Sequence, residues 1–262
     1  MSVPAPPAPS RTFGAQLGVG VMTAVAVSMP LALGVTVFDR SVIQFANGTA
    51  PSLSRALGQG FLAVLRSPLG CMMGKDNLAV FCVYGGTYIA KNSAEIGSVE
   101  YGIPKFWPVF FASTLVNSSM GLLKDRYLAT MFGKPRGSFP LSSYISFIFR
   151  DSVIVGASFN GPALVSPWMQ KATGKSAEVC DTVAQLSCPA AAQIIGTPLH
   201  MLGLDFYNRP NKPGRSVSFS ARVADAIKSS SGPIGARMAR QCYVFGFGGL
   251  AVKYANKAAG NQ

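Results

Sequence analysis

Apolar positions in this chain come in long runs, without the alternation of a strand or the one-sided stripe of a soluble helix. Phe13 to Phe38 holds no charged residue over 26 positions, Phe106 to Leu123 none over 18, and Thr182 to Leu204 none over 23. A helix needs about 20 apolar residues to cross hydrocarbon, so each run predicts a membrane-crossing helix. Three weaker segments lie between and after them, and charge attends each. About Leu69–Ala90 contains Lys75 and Asp76, Ser152–Gln170 follows "FRD", and Gln241–Val252, the shortest, follows "ARMAR". The order strong, weak, repeated three times, predicts an all-α membrane protein. It would have six transmembrane helices in three pseudo-repeated pairs, at about 13–92, 104–172 and 180–258.

Composition agrees with a bilayer. The chain is 49% hydrophobic and 13% charged, with mean hydropathy +0.32, whereas soluble domains carry about 25% charged residues. The net charge of +13 is scattered between apolar runs and forms no groove-lining cluster, which excludes nucleic acid as partner. Anionic phospholipid head groups, cardiolipin among them, are the expected counterpart. The three connections within pairs (39–68, 124–149 and 205–240) carry 14 Lys or Arg, against 7 in the tails and the connections between pairs. An even number of crossings puts those connections on one side and both termini on the other.

Residues 1–12, rich in proline, read as a disordered tail before a single membrane domain, 13–262; they lack the features of a transit peptide or secretory signal. The five cysteines (Cys71, Cys82, Cys180, Cys188 and Cys242) show no CxxC spacing, so neither a metal site nor a disulfide framework is expected. No phosphate-binding glycine motif is present, and no cofactor is expected.

The pairs share wording. The first strong span contains "SMPLALG" (28–34) and the third "GTPLHMLG" (196–203), while "SMGLLKDR" (119–126) stands at the corresponding place in the second without its proline. Proline removes a helical hydrogen bond, so Pro30 and Pro198 predict helix bends. Arg66, Arg150 and Arg240 lead into the weak spans, 84 and 90 residues apart. Tyr88–Lys91, Trp168–Lys171 and Tyr254–Lys257 close them.

Tandem pairs with proline-bearing odd helices and arginine-led even helices resemble the mitochondrial carrier family. That family's odd helices end in Pro-x-Asp/Glu-x-x-Lys/Arg, whose charges close a central cavity. Here Pro30 is followed by Ala32 and Val35 at the acidic and basic places. The second repeat offers Gly121, Leu123 and Arg126, and the third Pro198, His200 and Gly203. On the even helices Ile89, Met169 and Ala255 replace the acid after the aromatic residue. The resemblance implies a multi-pass protein of the mitochondrial inner membrane with termini in the intermembrane space. It also implies that both charged gates have been lost.

Two functions fit this pattern. In one, a small anionic metabolite crosses through a cavity lined by Arg66, Lys75, Arg150, His200 and Arg240, since ionisable residues at membrane depth mark solute pathways. In the other, the protein is a structural or accessory subunit of a membrane complex, with lipid in its cavity. The same arginines fit lipid phosphates or neighbouring carbonyls equally well. An enzyme is not expected, because His200 has no nucleophile motif beside it and Asp205, five residues on, does not share its helical face. The adjacent pairs Lys75–Asp76 and Arg150–Asp151 predict contacts to other helices, since neighbouring residues point about 100° apart. Gly14 and Gly18, four apart, predict close helix packing. "FSARVADAIKS" (219–229) predicts a short helix along the membrane surface.

Overall fold

The computed structural model describes residues 12–46, 50–132, 140–209 and 217–260. The expected N-terminal tail, save Thr12, and part of the basic connection, 210–216, lie outside them. All regular structure among the described residues is helical. The first long helix, α1 (Phe13–Ala46), is followed by an amphipathic α2 (Leu53–Arg66), a short α3 (Pro68–Met72) and α4 (Lys75–Glu100). Then come α5 (Phe106–Phe132), α6 (Leu141–Phe159), α7 (Gly161–Thr173), α8 (Ala177–Ala191) and α9 (Gln193–Asn208). The chain ends in α10 (Phe219–Ser230), α11 (Ile234–Gln241), a π-turn (Cys242–Phe247) and α12 (Gly248–Ala258).

Neighbours in the chain are neighbours in space. α4 packs between α1 and α5, α5 on α6, α6 and α7 on α9 and α8, and α8 on the π-turn. α12 returns to α1, which closes the set. The core where these helices meet is built from Ala24, Leu31, Ala32 and Val35 of α1, Val80, Val83, Tyr84 and Tyr88 of α4, and Ile154, Val244, Phe245 and Val252.

Two helices, Phe13–Ser41 and Phe106–Tyr127, are long and apolar enough to cross a membrane by themselves. The rest of the surface carries the same sign. On other helices Phe149, Leu164, Trp168, Ile194, Ile195 and Phe247 all point outward and are exposed. Lys124, Arg150, Asp151, Gln193 and Arg237 are buried. An apolar exterior around a polar interior is the pattern a bilayer stabilises and water does not. The chain is a multi-helical membrane protein.

The helices outrun the apolar runs that predicted them. α1 continues past Phe38 and α5 past Leu123, because the charges that ended each run are paired inside the bundle. α1 also runs unbroken through Pro30, and α9 through Pro198. Interruptions fall elsewhere. α6 and α7 part at Asn160, α8 and α9 part at Ala192, three residues after Pro189, and the π-turn separates α11 from α12. The first and the last are bridged by neighbours, as irregular backbone in hydrocarbon must be. Pro162 has no N–H to offer the Ser158 carbonyl, and Gln185 Nε2 donates to that oxygen at 3.2 Å and to the Phe245 carbonyl at 2.8 Å. Tyr88 Oη donates to the Val244 carbonyl at 2.5 Å.

The glycine expectation moves too. A Cβ at Gly14 or Gly18 would have nothing within 4 Å, so neither mediates close packing. Close approach occurs at Gly34 against Tyr243, Gly203 against Phe147 and Gly248 against Tyr88 and Leu31. The short helix expected at 219–229 is α10. α2 is a second helix of the same kind, with Phe61, Leu62 and Leu65 exposed on it.

Candidate functional site

The core of the bundle is closed by side chains. Tyr84 meets Phe245 with ring centroids 5.6 Å apart, Tyr88 meets Phe159 at 5.7 Å, and Phe159 meets Phe245 at 5.3 Å. Toward the chain connections that follow α1 and α5, this apolar layer gives way to buried charge. Asp39, at the far end of α1, accepts from Lys124 Nζ of α5 at 2.8 Å and pairs with Arg240 Nε of α11 at 2.9 Å. Lys124 also lies 3.1 Å from Asp125, which faces Arg150 Nη1 of α6 at 3.4 Å. Arg150 donates Nε to its neighbour Asp151 at 2.8 Å and Nη1 to His200 Nδ1 of α9 at 2.7 Å. Arg240 reaches the Tyr84 hydroxyl of α4.

This chain of contacts joins α1, α4, α5, α6, α9 and α11. A guanidinium only donates, so His200 Nδ1 is an acceptor and its ring proton sits on Nε2. Phe147 supports the arrangement from below. The Arg150 guanidinium lies 4.8 Å from its ring centre, and the His200 ring 5.4 Å.

A fourth interior cation stands beside this network. Arg237 of α11 is 9% exposed and donates Nε to Gln193 Oε1 at 3.1 Å. Among the described residues no carboxylate lies within ion-pair distance of it. Four cations (Lys124, Arg150, Arg237 and Arg240) therefore face three carboxylates (Asp39, Asp125 and Asp151) in the interior. Three buried polar atoms here lack a hydrogen bond: Gln193 Nε2, Asp151 Oδ2 and Arg240 Nε, the last held to Asp39 by charge alone.

Of the five residues expected to bind substrate, the structure brings together Arg150, His200 and Arg240. Arg66, at the end of α2, and Lys75, at the start of α4, are exposed and stand apart from the network. Asp76, beside Lys75, does reach another helix, pairing with Arg40 of α1 at 3.2 Å. Arg150 and Asp151 bond to each other, against the expectation that each would only reach outward, although Arg150 makes both kinds of contact.

The lost-gate expectation is corrected. Ala32 and Val35 are fully buried core, Leu123 faces outward and Gly203 is pressed against the Phe147 ring, so no charge would fit at the first and last of these places. The acids lie further along the same helices: Asp39, Asp125 and Asp205, spaced 86 and 80 residues apart. Asp205 accepts from Arg222 of α10 and from Arg209. The repeated Asp-Arg at 39–40 and 125–126 is the signal that would have found the first two. It falls outside the fixed offsets from Pro30 and Pro198 at which the family's charges stand.

Nothing in the arrangement supplies a nucleophile held by a base. All five cysteines are free thiols, and no cluster of three metal-ligating side chains occurs among the described residues. What it offers is buried, paired charge inside a helical bundle, which suits the passage of a charged solute. A cavity of about 410 Å³ lies to one side, between α1, α2, α3 and α4, lined by Thr36, Arg40, Gln59, Cys71 and Asp76 among others.

Comparison with known proteins overturns the resemblance to mitochondrial carriers. A family model matches residues 23–256, and it is not that of the carriers. The inner-membrane placement rested on that resemblance and falls with it. No curated protein and no solved structure matches the chain. The matched model spans nearly all of the membrane domain, its description is "Probable citrulline exporter", and the chain belongs to that family.

Proposed function

We propose that this protein crosses the membrane six times and exports a zwitterionic amino acid of the citrulline type. The observation that carries the reading is the buried charge network with its excess cation, in a chain of the probable citrulline exporter family. The six crossings would be α1, α4, α5, α6 with α7, α8 with α9, and α11 with the π-turn and α12. Each is long enough for about 30 Å of hydrocarbon, and both termini would then share one side.

A zwitterion suits this interior better than the small anionic metabolite expected from the sequence. It brings one carboxylate and one ammonium, so it can exchange with ion pairs without changing their balance. Substrate would enter when the helices around the network part, and the differential affinity of the parted and closed states for it would drive the change.

A second reading, an accessory subunit of a membrane complex, draws support from the closed aromatic centre. Efflux decides between them. Purified protein in vesicles preloaded with labelled citrulline should release the label well above protein-free vesicles. Release equal to protein-free vesicles would overturn the export reading in favour of the second.

A further inference from the structure

Among the described residues five Lys or Arg side chains lie inside the bundle, and four of them have carboxylate partners, Arg240 sharing Asp39 with Lys124. Lys124 pairs with Asp39, Arg150 with Asp151 and Arg222 with Asp205. Arg237 is the exception, since it bonds only to the neutral side-chain carbonyl of Gln193 at 3.1 Å. Its surroundings make this costly. It lies within electrostatic reach of two further cations, Arg240 and Arg150, whose repulsion outweighs the attraction of the more weakly felt Asp39 and Asp125. A buried charge with a neutral partner and like-charged neighbours destabilises the closed state.

Gln193 repeats the imbalance. It is fully buried, and its Oε1 is taken by Arg237 and by the Thr197 hydroxyl at 3.3 Å, while its Nε2 has no acceptor. Guanidinium and amide N–H groups therefore meet at one place with a deficit of acceptors. The complementary group is an anion with two oxygens in a plane, which a guanidinium binds through paired hydrogen bonds. Gln193 opens α9 directly after the break at Ala192, and Arg237 lies in the first turn of α11. The pair thus bridges two helices that must separate for a solute to pass between them.

We infer that Arg237 and Gln193 form the carboxylate anchor of the transport path. In the closed protein the Gln193 carbonyl stands in for the substrate, and a substrate carboxylate displaces it. The inference rests on the export reading for its substrate class, and the deficit of acceptors at Arg237 and Gln193 carries its position.

The test uses full-length protein and two readouts, citrulline-dependent thermal stabilisation in detergent and efflux from vesicles. Arg237→Gln should keep or raise the unfolding midpoint without ligand, because it removes a poorly paired buried charge. It should also cut both ligand stabilisation and efflux at least tenfold, whereas Arg237→Lys keeps a measurable part. Citrulline should compete with labelled citrulline, and its decarboxylated amine should not. Ligand stabilisation of Arg237→Gln equal to wild type overturns the inference, as does a lowered midpoint without ligand, which would mark a structural role. Equal competition by the amine overturns it too. Wild-type protein that is stabilised by citrulline through Arg237 but shows no efflux refutes export and leaves the anchor standing.

Discussion

Asp39→Asn would remove one carboxylate while changing little in shape. In the folded protein Asp39 holds Lys124 at 2.8 Å and Arg240 at 2.9 Å, and its side chain is 14% exposed. Four cations would then face two carboxylates in the interior. Breaking a buried pair by removing one partner costs about 3–5 kcal/mol. Part is recovered, since Lys124 keeps Asp125, Arg240 keeps the Tyr84 hydroxyl, and the new amide oxygen can accept one bond worth about 1 kcal/mol. The expected loss is about 2–4 kcal/mol, a fall of roughly 4–16 °C in midpoint for a chain of this size. Thermal unfolding in detergent measures it. Adding Arg240→Met removes the stranded cation and should restore at least half of the loss. A single variant within about 1 kcal/mol of wild type would refute the network's role. So would a double variant that loses the full sum of the two singles, since contacting residues should couple.

Two further outcomes follow from geometry and charge. Gly203→Ala puts a Cβ 2.5 Å from the Phe147 ring, which is 2% exposed and flanked by Arg150 and His200; overpacking of about 1–3 kcal/mol should exceed the helix-propensity gain of about 1 kcal/mol. Gly18→Ala has open space and should shift the unfolding midpoint upward, so a matching rise in both would refute the tight contact. Glu95 lies on α4 beyond the apolar span, where burial alone would raise its carboxyl but Lys91 and Lys105 outweigh burial and hold it below the usual value. Its stabilisation is therefore full above the unfolded-state pKa and lost as pH falls through the lower folded value. The stability gap between wild type and Glu95→Gln should close on acidification, and a gap that widens would refute the pairing.

The helices were legible because hydrocarbon forbids charge over a long run, and charge-free runs are easy to read. Their ends were not. Asp39 and Lys124 look like stops in one dimension, yet they neutralise each other across 85 residues and let α1 and α5 continue. Arg150, His200 and Arg240 were found by their place before apolar segments. Arg66 and Lys75 share that wording but lie at a helix end and a helix start on the exposed side, where the wording has no inward consequence. Arg237 was passed over because Arg240, three residues on, fitted the repeat. Its distinction is the carboxylate it lacks, and only three dimensions show that. The aromatic closure was equally hidden, since Phe159 and Phe245 are far in the chain from Tyr84 and Tyr88 and all four are ordinary in their local setting.

Gln185 has a consequence that belongs to rates. One amide group bridges the Ser158 carbonyl at the α6–α7 interruption and the Phe245 carbonyl in the π-turn. A carbonyl released into hydrocarbon stays costly until another donor arrives. If α8 is to slide against either neighbour, the amide must hand its protons from one acceptor to another without an interval in which both oxygens wait. Two separate breaks in regular helix thus share a single clock. The frequency with which the bundle can open would be set at this side chain, some distance from any charge that decides what passes.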